Sequence, residues 1–326
     1  MSTERESPGV GGPAGSPRVD PLTAYRSPLT VREAQTYAGE SLLVRYVNFV
    51  KLPHTIFALP FALLGVVAAA RVAPVTLRTV LLVIVAFSAA RWAAMGFNRI
   101  ADRQFDARNP RTMNRELPLG KLTLRQAWIS VVAAGGLFLL AAALLNPLCL
   151  MLAPVALGWI LLYSFAKRFT WWPHLWLGMS LAMAPVGGYL AITGQWSEPS
   201  WVLFAITVAV ATWVAGFDIF YALPDVQFDS SQGLRSAVVR LGERRAIVLA
   251  KLLHGITIPA LALFGYGAGF GLWYYFGLIV ATGILAYEHS LVQADDLSRL
   301  DAAFFTMNGV MSVVVFGFAL IDWVTT

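Results

Sequence analysis

Asn98, Asp102 and Asp106 stand four residues apart, and a second acidic set, Asp218, Tyr221, Asp225 and Asp229, lies far downstream. If the helix before Asn98 continues, the first three side chains stack on one face, a turn apart. The second set has the spacing i, i+3, i+7, i+11, which also keeps to one helical face. Carboxylates a turn apart suit a hard cation with oxygen ligands. Mg²⁺ in particular is held by one or two carboxylates, water and substrate phosphates. Two such stripes can clamp two ions on one diphosphate. Arg99, Arg103, Arg108 and Arg111, interleaved with the first set, offer bidentate donors to the remaining phosphate oxygens. Metal and arginines together would neutralise a departing pyrophosphate, the electrostatic work that ionising an allylic diphosphate requires.

The elements that must position these residues are apolar. Of 326 residues, 58% are hydrophobic and 13% charged, with a mean hydropathy of +0.66. That composition predicts an all-α integral membrane protein. Nine apolar segments are expected to cross the bilayer, at 51–70, 76–98, 125–145, 147–166, 175–193, 200–221, 246–265, 270–290 and 303–324, each near the ~20 residues a crossing needs. Residues 41–50 form an amphipathic lead-in. Residues 1–40, rich in Gly, Pro, Ser and Thr, are expected to be a disordered cytoplasmic tail, leaving 41–326 as the single helical domain. No apolar h-region stands at the N-terminus, so no cleavable signal peptide is expected.

The long connections, 99–124 and 222–245, carry the two acidic sets, and basic residues concentrate there. With the N-terminus inside, the opposite side holds Arg71 and Arg78 alone, as the positive-inside bias predicts. Both sets then open toward the cytoplasm, and the apolar interior houses a lipid tail. Substrate and partners follow: a polyprenyl diphosphate and the bilayer. The net charge of +6 is explained by basic loops against anionic lipid, so no nucleic-acid partner is expected. The lone Cys149 excludes a disulfide framework, and His54, His174, His254 and His289 show no metal-binding spacing; they read as packing or interfacial residues.

Further residues carry two readings each. Tyr163 and Lys167, at i, i+4, are either an aromatic-belt residue with a positive-inside charge or a phosphate contact. Lys51 either snorkels or binds an acidic aromatic acceptor at the cavity mouth. Arg91, two turns before Asn98, needs a partner at that depth: a substrate anion, or an ion pair with Asp106 or Glu288. Asn308 is interhelical glue or a cavity-lining substrate contact. A cation-coupled transporter is the competing class, and a lipid-alcohol phosphotransferase the third. Transporter carboxylates belong near the midplane of broken helices; here they sit at helix ends among arginines.

NRIADRQFD resembles the NxxxDxxxD motif of the UbiA superfamily of intramembrane prenyltransferases, and DIFYALPDVQFD resembles its second motif, DxxYAxxDxxxD. NPRTMNRELPLG is similar to the arginine-rich run that ends in a PxG turn, and YSFAKR to the family's YxxxK. The likeness extends from about residue 45 to the C-terminus. It implies nine transmembrane helices around a central cavity capped by two Asp-rich cytoplasmic motifs, and Mg²⁺-dependent prenyl transfer from a diphosphate to an aromatic acceptor. By match, Asn98, Asp102 and Asp106 hold one metal, and Asp225 and Asp229 the second. Asp218 stands near the acceptor or stabilises the allylic cation; Tyr163, Lys167 and Arg103 touch the diphosphate. Lys51 falls where 4-hydroxybenzoate enzymes of the family carry an arginine for the acceptor carboxylate. KLPHTIFALPFALLG and ARWAAMGFNR are similar to the 4-hydroxybenzoate polyprenyltransferase-like branch, some of which serves menaquinone synthesis through a dihydroxynaphthoate.

Overall fold

The computed structural model describes residues 37–39, 41–292 and 307–326, with the backbone alone at 53–57. The tail expected at 1–40 and the first residues of the last expected segment lie largely outside the described residues. Every regular element among those described is helical.

A short helix α1 (Leu42–Phe49), capped by the Ser41 hydroxyl, leads into α2 (Leu52–Ala69). The helices that follow are α3 (Leu77–Arg108), α4 (Leu124–Leu145) and α5 (Pro147–Leu162). Next come α6 (Pro173–Thr193), α7 (Trp201–Ala222) and α8 (Glu243–Gly267). The last two are α9 (Leu272–Leu291) and α10 (Asn308–Thr325). Their starts are written locally. Thr76 caps α3, Asn146 caps α5, and Thr123 with Gln126 forms a capping box on α4. Among the described residues, seven helices are long and apolar enough to cross a membrane. They include α3, α4, α6, α7, α8 and α10, with α5 as the seventh when its continuation to Phe169 is counted. The chain is an integral membrane protein.

The hub is α7. In its apolar window 72% of residues are buried, against 28% in α3. It packs on α6 and α8; α2 lies between α6 and α10, and α3 pairs with α4. Glycines set the closest approaches: a Cβ at Gly65 would stand 1.9 Å from the Pro185 carbonyl oxygen. Only glycine permits two backbones to meet so closely.

Two departures from expectation shape the site. First, α3 runs ten residues past the expected end at 98, to Arg108. A 32-residue helix is about 48 Å long against an apolar layer of ~30 Å, so its polar end projects beyond it. Second, the one helical face expected for Asp218 through Asp229 is not a single continuous helix. It stops at Ala222, passes through a 3₁₀ turn at Leu223–Asp225, and resumes over Val226–Ser231. Pro224 in that turn lacks the N–H that a straight helix would need. A similar 3₁₀ turn, Tyr163–Phe165, ends α5 before one last turn, Ala166–Phe169.

Candidate active site

The two breaks and the long α3 bring both acidic sets to one end of the bundle. Continuous α3 keeps Asn98, Asp102 and Asp106 on one face, and Asn98 Nδ2 donates to Asp102 Oδ2 at 3.1 Å. Asp102 Oδ1 accepts from Arg168 Nη2 at 3.1 Å, and Asp106 Oδ1 accepts from Arg115 Nη1 at 2.6 Å. Across from them, Asp229 Oδ2 accepts from Lys167 Nζ at 2.8 Å. Asp225 is gripped from the first connection: Asn109 Nδ2 and Arg111 Nε donate to its Oδ1 at 3.0 and 2.9 Å, and Arg111 Nη2 to its Oδ2.

The Arg111 guanidinium also lies over the Tyr221 ring, 4.6 Å from its centroid. Lys167 joins the sets. Asp229, Asp225 and Asp218 all act on it electrostatically, and it acts in turn on Asp102. Asp218, Asp102, Tyr221 and Arg91 likewise act electrostatically on Tyr163. Asp218 itself pairs with His174, Nδ1 to Oδ2, at 2.7 Å.

Below this charged end a cavity of about 530 Å³ reaches into the bundle. Asn98 and Tyr163 line one part of it and Trp196 and Phe204 another; the rest is chiefly aliphatic. Leu152, Val155 and Phe204 line it and are exposed, so the cavity is not sealed along the apolar flank where lipid would lie. Among the described residues, Arg91 is the one charged side chain in the lining. Its Nε is buried without a hydrogen-bond partner. Neither ion pair considered for it forms: Asp106 takes Arg115, and Glu288 accepts from Asn308 Nδ2 at 3.3 Å. A guanidinium with its buried Nε unpaired beside an apolar chamber is costly, and an anionic ligand would offset that cost.

Three expected contacts lie elsewhere. Lys51 is 9% exposed, holds a left-handed φ of 52° at the start of α2, and does not line the cavity. Asn308 is buried against Glu288 between α10 and α9, the interhelical alternative. Arg103 is exposed and turns back onto the Ile100 carbonyl at 3.1 Å. The sequence reading passed over Arg168, which reaches both Asp102 and the Ala101 carbonyl, and His174. Their clues were weak: Arg168 merely follows Lys167, and a lone histidine carries no spacing.

The donor set fits Mg²⁺ in kind. It consists of carboxylate and amide oxygens, and Asp106 Oδ2 is buried with no hydrogen-bond partner among the described residues. Among the described residues, no three carboxylates converge on one point there. A magnesium site needs only one or two, provided phosphate and water complete the shell.

A family model described as the UbiA prenyltransferase family matches residues 58–310. The 4-hydroxybenzoate octaprenyltransferase of Nitrosococcus oceani is 35% identical over 245 residues, 74% of this chain and 84% of that one. That of Hydrogenovibrio crunogenus is 33% identical over 239 residues, 71% of this chain and 79% of that one. A UbiA homologue from Aeropyrum pernix superposes with a TM-score of 0.76 at 31% identity, covering 82% of this chain and 98% of its own. At 20% identity and a TM-score of 0.65, a homologue from Archaeoglobus fulgidus, solved with DMAPP and Mg²⁺, shares the fold over 86% of this chain and all of its own. None of these relatives supports the transporter alternative. The chain is an enzyme and belongs to the UbiA prenyltransferase family, in its 4-hydroxybenzoate polyprenyltransferase-like branch.

Proposed function

We propose that this protein transfers a polyprenyl group from its diphosphate to 4-hydroxybenzoate or a closely related aromatic hydroxy acid, in quinone biosynthesis. The observation that carries the reading is the juxtaposition of two acidic sets, joined through Asp225–Arg111 and Lys167, above an apolar cavity with one arginine. The isoprenoid tail lies in the cavity, where water is scarce. Asn98, Asp102 and Asp106 would hold one Mg²⁺, and Asp225 and Asp229 a second. When bound, the ions neutralise charge on the diphosphate and make it a better leaving group.

The chain's own residues do the rest. Arg111 and Lys167, now paired with carboxylates, turn their donors to phosphate oxygens as the diphosphate enters, with Arg103 at the rim. Arg91 takes the acceptor's carboxylate, which orients the phenol ring toward the charged end. As the allylic C–O bond lengthens, Asp218 and the oxygens of Tyr163 and Tyr221 face the developing cation and stabilise it electrostatically. The apolar walls keep water from quenching it. The ring carbon next to the phenolic oxygen attacks, and loss of its proton restores aromaticity.

The nine spans expected from sequence fit this arrangement if α2 and α9 also cross, with the N-terminus and both acidic sets on the cytoplasmic side of the cell membrane. Lipid substrates would then enter sideways and the diphosphate from the cytoplasm. The test is prenyl transfer by purified protein in detergent, with geranyl diphosphate and 4-hydroxybenzoate, with and without EDTA. Metal-dependent formation of the prenylated acid supports the reading. Pyrophosphate release without an aromatic product rejects this acceptor, and no consumption of the donor rejects the function.

A further inference from the structure

His174 is absent from the roles assigned above, yet it is buried directly behind one of the reacting groups. It occupies the first turn of α6, after Trp172 and Pro173, and is 1% exposed. The contact between α6 and α7 fixes its place. A Cβ at Gly178 would lie 2.2 Å from the Ala211 carbonyl oxygen, so glycine lets the two backbones touch there. One turn back along α6 and two turns forward along α7 both lead toward the charged end. Those steps arrive at His174 and Asp218, with Nδ1 and Oδ2 2.7 Å apart.

The other ring nitrogen, Nε2, is buried with no partner among the described residues. That asymmetry selects a tautomer: an N–H at Nε2 would stand unpaired in the interior, whereas a proton on Nδ1 donates to Asp218 and leaves only a lone pair at Nε2. The Asp218 side chain is 13% exposed against 2% for the imidazole. The carboxylate is therefore the more exposed member of the pair, with the ring buried behind it. The bond engages Oδ2, and Oδ1 has no hydrogen bond among the described residues.

We propose that His174 is the positioning residue of the ring-deprotonation step: its Nδ1–H holds Oδ2 of Asp218 and so presents Oδ1 as the base. This role rests on the aromatic prenyl transfer proposed above. In that step the new C–C bond has formed and the ring is a cation. The C–H bond at the same carbon breaks, its electron pair restores aromaticity, and the proton moves to Oδ1. Asp218 returns to its carboxylate by passing the proton to the departing diphosphate.

The test compares His174→Phe, which keeps a ring but no donor, with His174→Asn, which keeps an N–H close to Nδ1. Both are assayed with geranyl diphosphate and with 4-hydroxybenzoate, unlabelled or ring-deuterated. For the Phe variant, kcat is expected to fall about tenfold or more, with both KM values unchanged. A primary deuterium isotope effect, absent in the wild type, should emerge as proton loss becomes limiting. The Asn variant should recover most of kcat and lose the isotope effect. If the Phe variant does not fold, His174→Leu is read by the same isotope effect. A donorless variant with native kcat overturns the role, as does a fall in kcat without an isotope effect, or an Asn variant no better than Phe. If the wild type releases pyrophosphate without prenylating the ring, the acceptor reading fails and takes this role with it. A wild type that turns over beside an indistinguishable Phe variant overturns the His174 role alone.

Discussion

Each end of the bundle carries a buried aspartate paired with an arginine, and the two pairs are built differently. At the end remote from the acidic sets, Asp322 is fully buried and saturated. Arg71 Nη2 donates to its Oδ2 at 2.6 Å, as does the backbone N–H of Gly271 at 2.7 Å, and the Tyr274 N–H reaches Oδ1 at 3.4 Å. Arg71 also donates to the Gly269 carbonyl and stacks on Phe270. This is a clasp that ties α2, α9 and α10. At the charged end, Asp102 accepts only from side chains, Arg168 and Asn98. Asp229 holds a half-exposed lysine, and Asp106 keeps one oxygen unpartnered. Backbone amides cannot leave a carboxylate, whereas long side chains from connecting segments can. The first pair is built for stability, and the second set for exchange with an incoming ligand.

Substitutions at the two ends should separate accordingly. The largest effect on turnover is expected at the exchangeable end. Asp102→Ala and Asp225→Ala should each lower kcat by about a thousandfold while the protein still folds; near-native turnover in either would remove that residue from the site. Arg91→Leu should raise the KM for 4-hydroxybenzoate about a hundredfold, the scale of losing a buried charged partner, and leave the KM for the donor unchanged. Equal changes in both constants would deny it the acceptor carboxylate. Asp322→Ala should do the reverse. It strands Arg71 and should lower stability by about 3 kcal/mol, read as a lower Tm in detergent, with kcat per folded molecule intact. The smallest effect is expected for Lys51→Ala, whose side chain does not line the cavity. It should shift the acceptor KM less than Arg91→Leu does, and a larger shift would exchange the two assignments.

Much of this was legible in the sequence because apolar runs and i, i+4 carboxylates are local signals. The expected segment 125–145 meets a helix at Leu124–Leu145, and 147–166 meets Pro147–Leu162 with its continuation. The projecting end of α3 was less visible, since hydropathy marks where apolar surface ends and not where the helix ends. The break after Ala222 has a local cause in Pro224, but the periodicity of four polar residues outweighed it. Partners were the least legible. Sequence assigns no definite partner to Arg91 or Arg111, yet Arg111 finds Asp225 and Arg91 an apolar chamber. His174 reads as packing until α6 meets α7 at Gly178 and sets it against Asp218. Such pairings depend on crossings between helices far apart in the chain.

The exchange of basic partners for a metal-bound diphosphate is best tested by titrating the purified protein with a thio-analogue of geranyl diphosphate whose C–S bond does not ionise. Binding should require Mg²⁺, and Asp102→Asn and Asp225→Asn should each weaken it strongly, while Asp322→Asn should leave it unchanged in the folded fraction. Equally tight binding without metal, or in both site variants, would contradict the placement of the diphosphate between the two acidic sets.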